Sequence, residues 1–136
     1  MSRALTLEIV TPDATVFSED VDMVTLTGAE GQMGVLPQHV HLITQLVPGE
    51  IMVTVDGHQR YLAVGEGLVE ITGTRVAIVT DMAVAAETID EAKAEDARRR
   101  AEARLREKLA DEEVATVNAS LVRALAQLKV KRRRHP

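Results

Sequence analysis

Residues 1–86 predict an all-β domain, an antiparallel sandwich or flattened barrel, and residues 87–136 predict an α-helical hairpin with a basic tail. Three observations carry this reading. All eight glycines lie between Gly28 and Gly73 and three of the four prolines lie at or before Pro48, whereas from Thr74 onward neither residue recurs until Pro136. The hydrophobic period changes near the same place from 2 to about 3.6. Charge divides there too: residues 1–86 hold 3 Lys/Arg against 11 Asp/Glu, a charge of −8, and residues 87–136 hold 13 against 10, a charge of +3. Such asymmetry suits a basic segment meant for an acidic partner or for its own acidic domain.

In chain order, Leu5, Leu7 and Ile9 alternate with Thr6 and Glu8, Val24 and Leu26 with Thr25 and Thr27, and Ile51, Val53 and Val55 with Met52 and Thr54. Alternation of this kind marks half-buried strands. Asp56-Gly57 supplies the positive-φ pair of a two-residue hairpin, and Gly73-Thr74 is expected to do the same between residues 68–72 and 75–80. About eight to ten short strands fit, with no room for crossover helices, so the sheet is expected to be antiparallel throughout.

Between two of these runs lies TGAEGQMGVLPQHVHL, residues 27–42. Gly28, Gly31 and Gly34 recur every third residue and are expected to shape turns or bulges. Pro37 removes a donor and extends Leu36, so residues 33–37 read as a short edge strand. A glycine-shaped, structured segment of this kind presents a surface.

Thr88-Ile89-Asp90-Glu91 fits a capping box, which starts a helix at Ile89 and carries it to about Lys108. Its inward face is Ala94, Ala97, Ala101 and Leu105. A short link, Ala110-Asp111-Glu112, leads to a second helix over residues 113–128 with Val114, Val117, Leu121, Leu125 and Leu128 on its seam. An alanine seam lets helices approach closely while burying little area per residue. Such a hairpin is weakly held and able to detach.

Several function classes are excluded. There is no cysteine, hence no disulfide frame and no thiolate metal site. No apolar run reaches the 18 or so residues of a membrane span, and MSRALTLEIVTPD lacks the apolar block of a signal peptide, so the chain reads as soluble and cytoplasmic. His39 and His41 form an H-x-H pair with no third ligand, and no metal is assigned. The KVKRRRH tail has no aromatic residues for stacking on nucleic acid. Ser18 and Ser120 lack spaced His/Asp partners, and no phosphate-binding glycine loop is present, so no catalytic residue is assigned.

Three segments, FSEDVDMVTLTGAEGQMGVLPQHVHL, TIDEAKAEDARRRAEARL and SLVRALAQLKV, resemble the epsilon subunit of the bacterial F-type ATP synthase, in order and over essentially the whole chain. The resemblance implies a ten-stranded β-sandwich followed by a helical hairpin, bound to the gamma subunit of the central stalk and resting on the ring of c subunits. It implies a non-catalytic subunit that couples ring rotation to the catalytic head and restrains ATP hydrolysis through the hairpin. The place it implies is the cytoplasmic face of the bacterial inner membrane, peripheral through the complex.

Carried over by residue, Glu30, Gly31, Gln32, Gly34 and His39 resemble the surface laid against the c ring and gamma. Many relatives have an acid where Gln32 stands, which weakens any ion-pair form of that contact. Ile89, Asp90, Lys93 and Ala94 resemble the family's nucleotide-binding motif, which has arginine at the position of Lys93. Arg100 and Arg123 join them as contacts of a weak regulatory ATP site; no cofactor is otherwise required. Gln127 falls where nucleotide-binding relatives tend to keep another arginine. Arg123, Lys129, Lys131, Arg132, Arg133 and Arg134 are the cations expected to meet acidic segments of the alpha and beta subunits when the hairpin extends.

The competing reading is a free-standing β-sandwich whose basic helical arm binds nucleic acid or acidic proteins. The triplet Arg98, Arg99 and Arg100 also reads as a solvated helix face.

Overall fold

The computed structural model describes residues 5–39 and 41–133. Ten strands form: β1 (Leu5–Val10), β2 (Thr15–Val21), β3 (Met23–Gly28), β4 (Gly31–Val35), β5 (Leu42–Leu46), β6 (Gly49–Val55), β7 (His58–Val64), β8 (Gly67–Ile71), β9 (Arg75–Thr80) and β10 (Ala83–Ala85). A 3-10 turn at Ala86–Thr88 leads to helices α1 (Glu91–Leu105) and α2 (Asp111–Arg133).

The strands form one path, β10-β7-β6-β3-β5-β8-β9-β1-β2, with β4 added on β3. The path folds over at β3, whose residues Met23, Val24 and Thr25 pair with β6 while Gly28 pairs with Leu46 of β5. Alternate residues of both layers then meet: Leu5, Leu7, Ile9, Val24, Leu26, Ile51, Val53, Leu62, Val64, Val69, Ile71, Val76 and Ile78 all lie in one core cluster. Each buried Leu, Ile or Val contributes about 1.5–3 kcal/mol, so this cluster is the main source of the sandwich's stability. At the open margin, the Arg60 guanidinium donates to both oxygens of Glu19 at 3.0 and 3.1 Å and lies 4.9 Å over the Phe17 ring, tying β7 to β2.

Four expectations need correction here. The sheet is not antiparallel throughout: β1 runs parallel to β9, with Thr6 opposite Arg75 and Val10 opposite Val79. The whole sandwich intervenes between these two strands, so the long connection that parallel pairing requires is present without a helix. The turn at Gly73-Thr74 takes no positive φ, unlike Asp56 and Gly57 at 52° and 78°. Instead the Thr72 hydroxyl accepts from the amides of Thr74 and Arg75 at 3.4 and 3.1 Å, a side-chain substitute for the glycine conformation. Of the three glycines in the edge segment only Gly31 has positive φ, 122°. Gly28 and Gly31 face one another across the β3–β4 hairpin, and Gly34 makes room for the Met23 methyl. The edge strand itself spans Gly31–Val35, two residues earlier than expected, and among the described residues β4 pairs with β3 alone.

The helices differ in detail. The first starts at Glu91, capped by Asp90, whose carboxylate accepts from the Lys93 amide at 3.1 Å. Thr88 instead donates to the Ala85 carbonyl at 2.9 Å and closes the 3-10 turn. The reason is Ile89: only 4% exposed and extended, it is buried with Ala63, Ala86, Ala126 and Val130, so the chain cannot coil until it has passed. The link is residues 106–110 rather than Ala110-Asp111-Glu112. The acidic first turn of α2, Asp111, Glu112 and Glu113, favours the positive end of its dipole, and Glu113 accepts from the Ala110 amide at 3.3 Å. The seam of α2 uses Ala124 where Leu125 was expected. Leu125 is 46% exposed, while Ala124, Ala126, Leu128 and Val130 are buried, because α2 is covered on two sides, by α1 and by the sandwich.

Candidate functional site

Helix α2 lies against the outer side of β6 and β7, α1 packs on α2, and the two helices line an open cleft of about 750 Å³. Its lining gathers five of the six residues expected at a nucleotide site: Asp90, Lys93, Ala94, Arg100 and Arg123. The sixth, Ile89, is beneath them in the apolar cluster and faces Ala63 and Ala126 rather than the cleft. Position follows from helix geometry, since Asp90 caps α1, Lys93 sits in its first turn, and Ala94, Ala97 and Arg100 recur at spacings of three.

Charge in this cleft is nearly balanced: Lys93, Arg100 and Arg123 stand against Asp90 and Asp96. Arg100 pairs with Asp96 at 3.1 Å, and Arg123 pairs with Asp81 at 3.3 Å and donates to the Ser120 hydroxyl at 3.2 Å. Gln127 lines the cleft as well, its amide 3.2 Å from the Met82 sulfur. Among the described residues lining the cleft, the exposed Lys93 side chain is the cation for which no ion pair is seen. An anion entering here displaces existing pairs and meets two carboxylates, so the arrangement can hold one only weakly.

The edge surface is organised differently from expectation. Glu30, Gly31, Gln32 and Gly34 are exposed at and beside the tip of the β3–β4 hairpin. His39 is half-buried beyond the far end of β4, next to the Gln38 amide that donates to the Gly73 carbonyl at 2.7 Å. Four strand steps separate Gln32 from Leu36, roughly 13 Å at about 3.3 Å each, so the tip and His39 are two places on one edge rather than one patch.

Most of the expected partner-facing cations that the structure describes are held within the chain. Arg132 reaches Glu91 and Glu95 of α1, both at 2.8 Å, Arg133 pairs with Glu50 of β6, and Lys131 donates to the Ala86 carbonyl at 3.3 Å. Lys129 is exposed, and Arg134 lies outside the described residues. As partners of these cations, Asp81, Glu50, Glu91 and Glu95 carried no signal in the sequence beyond the charge asymmetry; Glu91 was read only as part of a capping box. At the junction of the two helices, hydrogen bonds first from Arg98 and then from Arg132 hold the Glu95 carboxyl down at about 2. Glu91 and Glu95 raise Arg132, and Glu95 raises Arg98, above their usual values.

Also unread in the sequence was an aliphatic face. Ile43 of β5, Leu68 of β8 and Val79 of β9 are 68%, 56% and 60% exposed, with Leu68 opposite Val79 in the register. Solvent-facing alternates on a sandwich are usually polar, and three large aliphatics on neighbouring strands mark a contact surface. Among the described residues no group of His, Cys, Asp or Glu is arranged to hold a metal, and no helix is long and apolar enough to cross a membrane.

A sandwich with an exposed aliphatic face, and a two-helix arm docked on its other side by small residues and ion pairs, has the architecture of a binding subunit. Residues 4–86 match the family model for the ATP synthase delta/epsilon chain beta-sandwich domain, and residues 87–132 match that for its long alpha-helix domain. The ATP synthase epsilon chain of Dehalococcoides mccartyi is 43% identical over 135 residues, covering 97% of this chain and 96% of the relative. That of Herpetosiphon aurantiacus is 41% identical over 124 residues, 91% of each. A chain in the mitochondrial ATP synthase of Euglena gracilis, solved with its c-ring, superposes with a TM-score of 0.71 at 27% identity, over 89% of this chain and 76% of that one. One from the central stalk and c-ring of the Tetrahymena thermophila enzyme, at 14% identity and TM-score 0.63, shares the fold over 96% of this chain and 98% of its own. The chain belongs to the ATP synthase delta/epsilon family, as an epsilon chain: a non-catalytic subunit, peripheral to the membrane as part of the complex.

Proposed function

We propose that this epsilon chain is a rotor subunit of the central stalk, with its sandwich, residues 1–86, docked on gamma and the c ring and its hairpin, residues 87–136, acting as a detachable restraint on ATP hydrolysis. The observation that carries this is the separation of two apolar clusters. The sandwich core draws nothing from the helices, while the hairpin is attached through Ile89, Ala126 and Val130 against Ala63 and Ala86. The small cluster contributes little burial, so the arm can leave without unfolding the sandwich. Extended, it would present Arg123, Lys129, Lys131, Arg132, Arg133 and Arg134 to acidic segments of alpha and beta on the cytoplasmic side of a bacterial inner membrane.

On the sandwich, the exposed tip at Glu30, Gly31, Gln32 and Gly34 is assigned to the c ring, and His39 with the aliphatic face at Ile43, Leu68 and Val79 to gamma. A polar tip suits polar loops, whereas an aliphatic face needs a partner that buries it. Co-purification with gamma tests this: Leu68→Asp with Val79→Asp should abolish capture of gamma by the otherwise folded chain. Undiminished capture removes the aliphatic face from the interface.

The cleft at Asp90, Lys93, Ala94, Arg100 and Arg123 is proposed to take ATP weakly, with Kd near or above the millimolar range. Ligand present at its Kd stabilises the docked arm by only about 0.4 kcal/mol. Lysine offers a point charge where arginine offers a planar fork, so Lys93→Arg should tighten binding in titration calorimetry. A low-micromolar Kd for the unaltered chain overturns the weak site.

A further inference from the structure

Four of the cations assigned to alpha and beta, Arg123, Lys131, Arg132 and Arg133, are already held by groups of the compact chain. Arg123 meets Asp81 at 3.3 Å, directly after β9, and Arg133 meets Glu50 on β6. Ten residues apart on α2, the two arginines stand about 15 Å from one another along the helix axis. Between them lie Ala126 and Val130, buried on the sandwich, and Lys131, which reaches the Ala86 carbonyl. Asp81 is held in place: its amide donates to the Glu66 carbonyl at 3.0 Å, and its carboxylate lies over Gly65, where a Cβ would overlap it.

We propose that Asp81 and Glu50 form an internal acidic dock, a two-point clamp that occupies Arg123 and Arg133 in the compact state and competes with any external acidic surface for the same side chains. Docking and outward engagement then exclude one another residue by residue, and the strength of the dock sets how strong an acidic partner must be to draw the arm out. The inference rests on the reading that the hairpin detaches.

The two points differ. The Asp81–Arg123 pair is partly exposed on both sides, so each member rehydrates when the other leaves. The Glu50 side chain is only 9% exposed, and its second oxygen is buried with no hydrogen-bond partner among the described residues. Losing Arg133 strands that carboxylate without its countercharge, whereas losing Glu50 leaves an exposed guanidinium to water. Arg133→Ala must therefore undock the arm more than Glu50→Ala does.

The full chain has no cysteine, so labels at Ser18→Cys and Leu125→Cys, both exposed positions, report the separation of arm and sandwich by energy transfer without side reactions. Poly-L-glutamate serves as the external acidic surface. Asp81→Ala should raise the undocked fraction about 2- to 5-fold, as expected for one exposed pair, and lower the poly-L-glutamate concentration needed for extension by the same factor. Asp81→Arg should undock further, and adding Arg123→Asp should restore docking. Gly65→Ala, which displaces the Asp81 carboxylate, should behave like Asp81→Ala. An arm that extends equally in the unaltered, Asp81→Arg and swapped chains, or a Glu50→Ala effect as large as that of Arg133→Ala, overturns the dock alone. An arm that never extends in any variant or salt overturns both the dock and the detachment on which it rests.

Discussion

Glu95 receives Arg98 from its own helix and Arg132 from α2 at 2.8 Å, so one carboxylate ties the two helices together near the end of the chain. Its pKa lies at about 2 rather than 4.5, so the folded state prefers the charged form. A depressed pKa contributes stability that is fully present above the unfolded value and lost as pH falls through the folded one. The contribution is thus intact above about pH 4.5 and disappears between there and about pH 2. Acid titration followed by helical circular dichroism should show a transition in that window which Glu95→Gln removes; an unchanged transition would detach Glu95 from it. On the sandwich, Gly67 is required for a different reason, because a Cβ there would overlap the Val79 carbonyl oxygen across the β8–β9 pair. Gly67→Ala should destabilise the sandwich by about 1–3 kcal/mol or more in denaturant unfolding, the range for forced overpacking. At this scale the sequence was partly legible. Both Thr88 and Asp90 are good caps, and the choice between them was made by Ile89, whose partners Ala63, Ala126 and Val130 are too distant in the chain for local pattern to reveal.

Among elements, strands were easier to read than their partners. Alternation identified β1, β3 and β6, because one buried face per strand imposes period 2. It carries no sign of strand direction, so the parallel β1–β9 pair was invisible. In α2 the largest apolar residues suggested one seam through Leu125, yet two covered sides favour small residues at Ala124 and Ala126. Leu125→Lys should then change stability by no more than about 0.5 kcal/mol, while Ala124→Leu should cost about 1–3 kcal/mol. The reverse ranking in thermal melts would restore the Leu125 seam. The cap makes a separate prediction: Asp90→Ala should cost about 1 kcal/mol of helix stability and Thr88→Ala clearly less.

Across the whole molecule, the charge division visible in the sequence becomes an intramolecular match. The acidic sandwich supplies Glu50 and Asp81, and the basic arm supplies Arg133 and Arg123. The cleft residues were legible only through their resemblance to a nucleotide-binding motif, and four of them, Asp90, Lys93, Ala94 and Arg100, line one side of the cleft from α1 and its cap. The aliphatic face at Ile43, Leu68 and Val79 was not, since exposure of an alternate strand position depends on which layer lies behind it. The central claim is that a self-sufficient sandwich carries a removable restraint. The ATP hydrolysis rate of the assembled complex, measured with the full chain and with a chain ending at residue 88, tests it most directly. The account predicts that the shortened chain stays folded and bound to gamma while hydrolysis rises; loss of gamma binding, or a rate unchanged by the deletion, would contradict it.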